Sequence, residues 1–293
     1  MANRVTVEVP ATSANLGPGF DSLGVALDWT ARWSFAPSER QERPSNAMEQ
    51  MALSAALAIY QRAGVNAPAG IEVTYDGDIP VGRGLGISAA ARVAGVVAAN
   101  ALLETDFEDS ALLAVAVQLE GHADNAAPAM FGGLQVVATD DDEYSYLRID
   151  PPEALRLVVL VPDFSMPTNE SRRLLPERVT RNQAVHNISR AAMLVGAVAT
   201  GQFEALNIAT EDILHQPARA QLFQPMFQIF QAARDAGAHG VYLSGGGSTI
   251  AAFATDHFDD IAGAMREAAA VHGQTAETRV CEFNGRGAAI VEA

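Results

Sequence analysis

The residues Pro80-Val-Gly-Arg-Gly-Leu-Gly-Ile-Ser-Ala-Ala, numbered 80 to 90, say most about the fold of this chain. Three glycines stand at alternate positions, and a segment rich in alanine and valine with helical character runs from Ser88 to Leu103. Glycine lets a backbone approach an anion closely, and the N–H groups at a helix start carry partial positive charge. The stretch therefore indicates a phosphate-binding loop whose Ser88 hydroxyl is available to Mg²⁺, although glycine-rich turns also precede helices that bind no ligand.

The charged residues narrow the possible chemistry. All 19 basic residues are arginine and none is lysine, so Schiff-base catalysis, a Walker A loop and the strand lysine of protein kinases are excluded. The spacing of the glycines is not that of a Rossmann fold. A net charge of −16 opposes binding to nucleic acid or anionic lipid. The lone Cys281 permits no internal disulfide and no zinc site built from cysteines.

Length and composition predict a globular protein of the cytoplasm. The 293 residues fit one large domain or two of about 150, and 49% hydrophobic residues suffice for a core. No apolar run reaches the roughly 20 residues that cross a bilayer. The amino terminus alternates like a strand and lacks the charged-then-apolar order of a secretory signal.

Hydrophobic periodicity predicts strands and helices along the whole chain. In the first half the strands are 5–9, 23–35, 71–75, 134–138 and 146–149, and the helices are 47–63, 88–103 and 110–119, with loops at 12–21 and 120–128. Pro151-Pro152 is the candidate change of domain. Beyond it the strands are 155–161, 240–243, 249–253, 278–283 and 288–291, and the helices are 182–200, 224–236 and 257–272.

Two further segments concentrate glycine or polar side chains. Residues 240–250 contain three consecutive glycines between strands, which indicates either a tight hairpin or a backbone clamp near a ligand. Glu120, His122, Asp124 and Asn125 fall within six residues beside an apolar helix. Such a cluster costs stability if it is buried without partners, so it belongs either to a surface loop or to a site.

Three loops add weaker indications. Asn15 and Asp21 flank two glycines, which a long turn explains most simply. Arginines accompany hydroxyl or imidazole groups at 168–173 and 215–219. Guanidinium groups there either hold a carboxylate or phosphate as a forked pair or form ordinary surface ion pairs.

In this order, the segments resemble the motifs of the GHMP kinase superfamily. The resemblance rests on PATSANLGPGFDSLG (10–24), PVGRGLGISAAA (80–91), EGHADNAAPAMFGG (120–133) and GVYLSGGGST (240–249). The ANLGPGFDSLG and EGHADNAAP segments are the specific ones. They are similar to homoserine kinases rather than to mevalonate, galactose or diphosphocytidyl-methylerythritol kinases.

The resemblance implies an α+β fold of two domains. These are a nucleotide-binding domain like ribosomal protein S5 domain 2 at 1–153 and a ferredoxin-like domain at 154–293, with the site between them and a homodimer as the assembly. It implies transfer of phosphate from ATP, with Mg²⁺, to the side-chain hydroxyl of L-homoserine in threonine biosynthesis. Another small-molecule kinase of the superfamily and a non-catalytic ligand-sensing relative are the alternatives.

The resemblance also implies roles for individual residues. Ser88 and Glu120 would hold Mg²⁺, and the ATP phosphates would lie on Pro80, Gly82, Arg83, Gly84, Leu85, Gly86, Ile87, Ser88 and Ala89. Homoserine would contact Asn15, Asp21, His122, Asp124, Asn125, Arg172, Arg219 and Gly245. As the catalytic residues, Arg83 and Thr168 would lie close to the transferring phosphate, and Asn125 would orient the homoserine hydroxyl. Without lysine, an Asp–Lys base is impossible, so catalysis is expected to rely on positioning and electrostatics.

Overall fold

The computed structural model describes residues 4–40, 43–140 and 143–293. In the first half of the chain the elements are β1 (Val5–Ala14), β2 (Leu23–Ser38), α1 (Ala47–Ala63), β3 (Gly70–Asp76), α2 (Ile87–Leu102), α3 (Asp109–Glu120), α4 (Ala123–Phe131), β4 (Leu134–Asp140) and β5 (Glu143–Ile149). The second half contains β6 (Arg156–Pro162), α5 (Thr168–Arg173), α6 (Arg181–Thr200), α7 (Leu206–Ala209), α8 (Gln216–Arg219), α9 (Met226–Asp235), β7 (Gly240–Leu243), β8 (Ile250–Ala254), α10 (Phe258–Val271), β9 (Ala276–Cys281) and β10 (Ala289–Glu292).

The first sheet is antiparallel, in the order β10-β1-β2-β4-β5, and β3 also pairs with β2. Helices α1, α2 and α4 pack on its strands. The small side chains of α2 serve this packing, because a Cβ on Gly95 would lie 2.1 Å from the carbonyl oxygen of Ala52 in α1. The alanine-rich sequence after the glycine loop thus lets two helices approach closely and fixes where α2 begins.

The second sheet has the antiparallel order β7-β8-β6-β9, with α9 and α10 packed against it. Strand β6 has buried residues on both faces: Leu157 and Val159 belong to the core of the first sheet, and Val158 and Leu160 to a separate core with α9 and α10. A strand covered on both sides needs apolar residues at every position. Burial of β6 on both faces therefore explains the continuous apolar run at 155–161.

The chain passes from the first sheet to the second between β5 and β6, where the sequence predicts the domain change. Strand β10 then returns to the first sheet, pairing Val7 with Ile290 and Thr6 with Glu292. A domain boundary after residue 153 therefore does not separate the two sheets completely, because β10 pairs with β1. The division into domains at that point stays a prediction.

The segment 120–128, predicted as a loop, is mostly helix α4. The helix is nine residues long, it contains Pro128, and all but its last residue are buried. The sequence pattern indicates a loop because these polar residues look solvent-exposed, whereas in the structure they face a cleft. Helices α5, α7 and α8 were also missed, since elements of four to six residues are too short to show a period.

Strand β1 continues beyond its predicted end, through Pro10 to Ala14, with an irregularity in its pairing to β2 between Pro10 and Thr12. The extension carries Thr12 and Ser13 into the interior. Among the described residues, no helix is long and apolar enough to cross a membrane.

Candidate active site

A cleft of about 450 Å³ brings together most of the predicted site residues. Those that line it are Asn15, Asp21, Gly82, Gly84, Leu85, Gly86, Ile87, Ser88, Glu120, His122, Asp124, Asn125, Arg172, Arg219 and Gly245. They come from the β1–β2 loop, the glycine loop and the start of α2, the end of α3, the start of α4, helices α5 and α8, and the β7–β8 turn. Pro80, Arg83 and Ala89 are not in this lining. Thr168 begins α5, but its side chain lies outside the described part of the chain.

The glycine loop has a backbone shape that residues with a side chain rarely adopt. Gly82, Gly84 and Gly86 have φ angles of 70°, 78° and 61°. A Cβ at Gly84 would lie 2.1 Å from the carbonyl oxygen of Ser244, and one at Gly86 would lie 1.8 Å from Thr12 Oγ1. Helix α2 follows at once, and no side chain caps its N-terminus. Its first N–H groups are therefore available to an anion.

Hydrogen bonds from both halves of the chain fix this loop. The backbone N–H of Thr12 in β1 donates to the carbonyl of Leu85 at 3.1 Å. From the β7–β8 turn, Ser244 Oγ donates to the carbonyl of Gly84 at 2.7 Å, and the N–H of Thr249 donates to that of Arg83 at 3.0 Å. The second glycine cluster is thus both a hairpin turn and a support for the first.

The side chain of Arg83 contacts the end of β6. Its Nε donates to the carbonyl of Pro162 at 2.9 Å, and its Nη2 to that of Asp163 at 2.5 Å. The guanidinium thereby joins the glycine loop to the second sheet. That Arg83 lies by the transferring phosphate stays a prediction.

Ser88 and Glu120 are in contact across the start of α2. Ser88 Oγ donates to Glu120 Oε1 at 2.5 Å, while Arg92, one helical turn after Ser88, forms an ion pair with Glu120 Oε2. The Glu120 side chain is 7% exposed. The sequence pattern did not single out Arg92, but its spacing of four residues from Ser88 on one helix face was the available signal.

This pair of oxygen ligands fits Mg²⁺, which prefers hard oxygen donors and keeps waters and substrate phosphates in its shell. No group of three or more His, Cys, Asp or Glu side chains that could hold a metal occurs in the part of the chain that the structure describes. A metal at Ser88 and Glu120 would therefore need ligands from the nucleotide. Arg92 would share the carboxylate with it through the other oxygen.

The start of α4 presents three polar side chains to the cleft. His122 Nδ1 lies 2.8 Å from Asp124 Oδ1, and Asn125 Oδ1 accepts a hydrogen bond of 2.8 Å from Thr12 Oγ1. Burial disfavours the imidazolium, but the hydrogen bond to Asp124 and the charges of Asp124 and Glu120 outweigh it, so the pKa of His122 is raised. Asp124, which is 2% exposed, is thus held by neighbours on its own helix.

The β1–β2 loop is strained where it meets the cleft. Asn15, Leu16 and Asp21 all have positive φ angles, of 68°, 50° and 57°. Asn and Asp tolerate this conformation, whereas Leu16 adopts it at a cost that surrounding contacts must offset. The amide of Asn15 provides such contacts, since its Oδ1 accepts from the N–H of Asp21 at 3.1 Å and its Nδ2 donates to the carbonyl of Gly245 at 2.9 Å.

Two arginines lie close to one aromatic ring. Arg172 donates to both carboxylate oxygens of Asp21, at 2.9 and 2.6 Å. The Phe20 ring lies 5.1 Å from the Arg172 guanidinium carbon and 5.5 Å from that of Arg219. Phe20 was missed because an aromatic residue in a glycine-rich turn resembles a packing residue. Its ring contacts both cations, and the charge of Arg172 still contributes, after burial, to lowering the pKa of Arg219.

Arg219 is a buried cation with an unused donor. The residue is 2% exposed, and its Nη1 donates to the Gly245 carbonyl and to His215 Nδ1, both at 2.9 Å. Its Nε has no hydrogen-bond partner among the described residues. Burial lowers the pKa of Arg219 to about 10, so it remains charged at neutral pH. A buried guanidinium among the residues that line a cleft suits a carboxylate or phosphate.

Comparison with known proteins places this site in a family. The chain matches the model described as GHMP kinases N terminal domain at residues 50–133 and that described as GHMP kinases C terminal at 194–271. It is 41% identical to a homoserine kinase of Carboxydothermus hydrogenoformans over 262 residues, 86% of each chain. It is 39% identical to one of Moorella thermoacetica over 294 residues, 97% of this chain and 99% of the relative.

A solved structure shows the same similarity in three dimensions. The crystal structure of homoserine kinase from Cytophaga hutchinsonii matches with a TM-score of 0.90 at 28% identity, covering 99% of this chain and 98% of that one. The predicted α+β fold of two GHMP kinase domains is confirmed. The chain belongs to the GHMP kinases and, within them, to the homoserine kinases.

Proposed function

We propose that the protein transfers the terminal phosphoryl group of ATP to the side-chain hydroxyl of L-homoserine, giving O-phospho-L-homoserine and ADP. One observation carries the proposal. A single cleft has an uncapped helix start and glycine loop on one side, and buried charges of both signs on the other. The first suits a polyphosphate, and the second suits the carboxylate and ammonium of an amino acid.

The nucleotide phosphates would lie on the loop at Gly84 and Gly86 and on the first N–H groups of α2. Because the glycine conformation and the hydrogen bonds of the loop are set before binding, these donors need little rearrangement. Mg²⁺ held by Ser88 and Glu120 would supply positive charge that offsets the charge developing between the β- and γ-phosphates. Arg92 would keep the Glu120 carboxylate in place from its other side.

The amino acid would bind at the opposite end. Its carboxylate would accept from the guanidinium of Arg219, and its ammonium would lie against Asp124 and Asp21. Arg172 forms a forked pair with Asp21, which would hold that carboxylate in place for the ammonium. A zwitterion satisfies both signs at once, which an alcohol without these groups does not.

The hydroxyl would be oriented by Asn125, which Thr12 and Asp124 hold at the border between the two ends. Phosphoryl transfer has a loose transition state, so alignment and charge stabilisation contribute most of the rate. We propose that no strong general base acts and that the hydroxyl proton leaves to the transferred phosphate or to solvent. The absence of lysine from the sequence supports this, since an Asp–Lys pair cannot form.

The test is a substrate panel with Mg-ATP, in which ADP release is measured with L-homoserine, L-serine, L-threonine, mevalonate and galactose. We expect turnover with L-homoserine to exceed that with every other alcohol by at least about 100-fold, because only it satisfies the charged end at the right chain length. Phosphorus NMR would identify the phosphomonoester. Faster turnover of another alcohol would assign a different substrate, and nucleotide binding with no ADP release for any alcohol would indicate a ligand-sensing relative.

A further inference from the structure

A buried histidine lies directly behind the carboxylate-binding end of the cleft. His215 precedes α8, is fully buried and does not line the cleft. Both of its ring nitrogens are in contact with polar atoms. Nε2 lies 2.6 Å from the carbonyl oxygen of Gly17, and Nδ1 lies 2.9 Å from Nη1 of Arg219. The ring therefore joins the β1–β2 loop to the arginine of α8.

The chemistry of these two partners allows one state of the ring. A carbonyl oxygen only accepts, so Nε2 must carry the hydrogen; a guanidinium only donates, so Nδ1 must carry the lone pair. The neutral Nε2–H tautomer satisfies both, and the imidazolium would set Nδ1–H against Arg219. Burial, helped by the positive charge of Arg219 and opposed by the charges of Asp212 and Asp21, lowers the pKa of His215 to about 4.

The base of α8 holds this histidine firmly. Asp212 accepts hydrogen bonds from the backbone N–H groups of His215 and Gln216, at 2.9 and 2.7 Å, and from Asn187 Nδ2 at 2.6 Å. The Phe20 ring stacks at a tilt on the imidazole, with centroids 5.5 Å apart. A side chain fixed by its backbone, its neighbours and both nitrogens has no alternative rotamer without losing several of these contacts.

The orientation of Arg219 depends on this contact. The guanidinium is planar, and its Nη1 hydrogens are directed to His215 Nδ1 and to the Gly245 carbonyl. Fixing Nη1 at two points fixes the plane of the group, and therefore the direction of the unpartnered Nε. Without the Nδ1 acceptor, Arg219 would keep its charge but lose one of the two contacts that aim it.

We propose that His215 is a positioning residue for amino-acid recognition: anchored by the Gly17 carbonyl as the Nε2–H tautomer, it accepts from Arg219 and sets the guanidinium to receive the substrate carboxylate. The inference rests on the proposed function, since it deepens the role of the amino-acid end. It also explains how the loop that carries Asn15 and Asp21 keeps a fixed distance from Arg219.

Two matched substitutions separate the contacts. In His215→Asn the amide oxygen reaches the place of Nδ1, so the acceptor for Arg219 is retained and the bond to Gly17 is lost. In His215→Gln the amide nitrogen reaches the place of Nε2, so the bond to Gly17 is retained and the acceptor for Arg219 is lost. Each variant loses one buried hydrogen bond, and we expect their melting temperatures to fall by similar amounts.

The two variants are expected to differ in homoserine recognition. In His215→Gln the KM for L-homoserine should rise roughly 10- to 100-fold with the KM for ATP and kcat within about threefold of wild type, whereas His215→Asn should stay within about threefold throughout. In calorimetry, L-homoserine should likewise bind more weakly to His215→Gln than to His215→Asn. Equal effects of both variants, or effects that follow the loss of melting temperature, would overturn the proposal.

A measurement on the wild-type protein covers the case in which neither variant folds. Nitrogen NMR of protein labelled on histidine should show one Nε2–H tautomer that does not titrate between pH 5.5 and 8. A Nδ1–H tautomer or a charged ring would overturn the inference. If wild-type protein neither binds nor phosphorylates L-homoserine, the proposed function fails; if it does both and the two variants behave alike, only the role of His215 fails.

Discussion

The proposed phosphate end and the proposed amino-acid end of the cleft present charge by different means. At the phosphate end, the donors belong to backbone, shaped by Gly84 and Gly86 and by the uncapped start of α2. At the amino-acid end, the charges belong to side chains that are buried and paired, such as Arg219 and Asp124. The first end is local in sequence, and the second is assembled from five separate segments.

This difference teaches where each end is vulnerable. A backbone site is lost when a Cβ alters its shape, although no charge is removed. A side-chain site is lost when one charge or one orienting contact is removed, although the backbone stays the same. Substitutions at each end separate these two kinds of loss.

Gly86→Ala should be the most damaging change. Its Cβ would lie 1.8 Å from Thr12 Oγ1 and 2.7 Å from Asn125 Oδ1, at a φ of 61°. We expect kcat/KM for ATP to fall on the order of 1,000-fold, because both the loop and Asn125 must move. Steady-state kinetics with ATP varied would measure this. Nearly normal ATP kinetics would show that the loop does not bind phosphate.

Gly64→Ala is the matched control. Gly64 has a similar φ of 67° at the end of α1, but nothing lies within 4 Å of its Cβ position. It should lose roughly 1 kcal/mol of stability from backbone strain alone and keep its activity. If it lost activity as Gly86→Ala does, global destabilisation would explain both.

Glu120→Ala should lower turnover on the order of 100-fold or more and raise the Mg²⁺ concentration needed for half-maximal rate, because one of two protein ligands is removed. Titration of Mg²⁺ at fixed ATP would measure both effects. Glu8→Gln is the control, since Glu8 pairs with Arg32 on the surface. A Glu120→Ala enzyme with full activity would refute the metal assignment.

Arg219→Ala should raise the KM for L-homoserine roughly 10- to 100-fold with a smaller effect on the KM for ATP, because a buried charge-assisted contact is lost. Arg234→Ala is the control: Arg234 also has a buried Nε without a partner among the described residues, but it lies outside the cleft. Kinetics with each substrate varied in turn would separate the two. An unchanged homoserine KM in Arg219→Ala would move the carboxylate site elsewhere.

The smallest expected effect is the pH dependence that protonation of His215 gives to the stability of the fold. The pKa of His215 is about 4 in the fold and near 6.5 when unfolded, so between these values the unfolded chain binds the extra proton and stability falls as pH falls. From pH 7 to pH 5, wild-type protein should lose on the order of 2 kcal/mol more than His215→Asn. Urea unfolding at both pH values would measure this, and equal losses would contradict a neutral buried ring.

The shape of the glycine loop could be predicted best because its parts are contiguous. Three alternate glycines before an alanine-rich helix indicate a tight turn with a left-handed backbone, and the structure gives all three positive φ angles. The direction of the loop's side chains depends on distant partners. The contacts of Arg83 could not be predicted for this reason, because the carbonyls of Pro162 and Asp163 that bind it lie about 80 positions away.

The amino-acid end could be predicted only through the family resemblance. No periodicity links Asp21 to Arg172 or His215 to Gly17, since these contacts depend on how two sheets pack. Helix α4 was read as a loop because polar residues that face a cleft look like residues that face water. Arg92 and Phe20 were missed because a charge on a helix and a ring in a turn are usually unremarkable.

The most direct test of the account is a crystal structure of the protein with Mg²⁺, a non-hydrolysable ATP analogue and L-homoserine. We expect the phosphates on the N–H groups of Gly84, Gly86 and α2, the metal at Ser88 and Glu120, and the amino-acid carboxylate on the Nε side of Arg219. Phosphates bound away from the glycine loop, or an amino acid bound with its carboxylate far from Arg219, would contradict the central claim that one cleft joins a backbone site to a side-chain site.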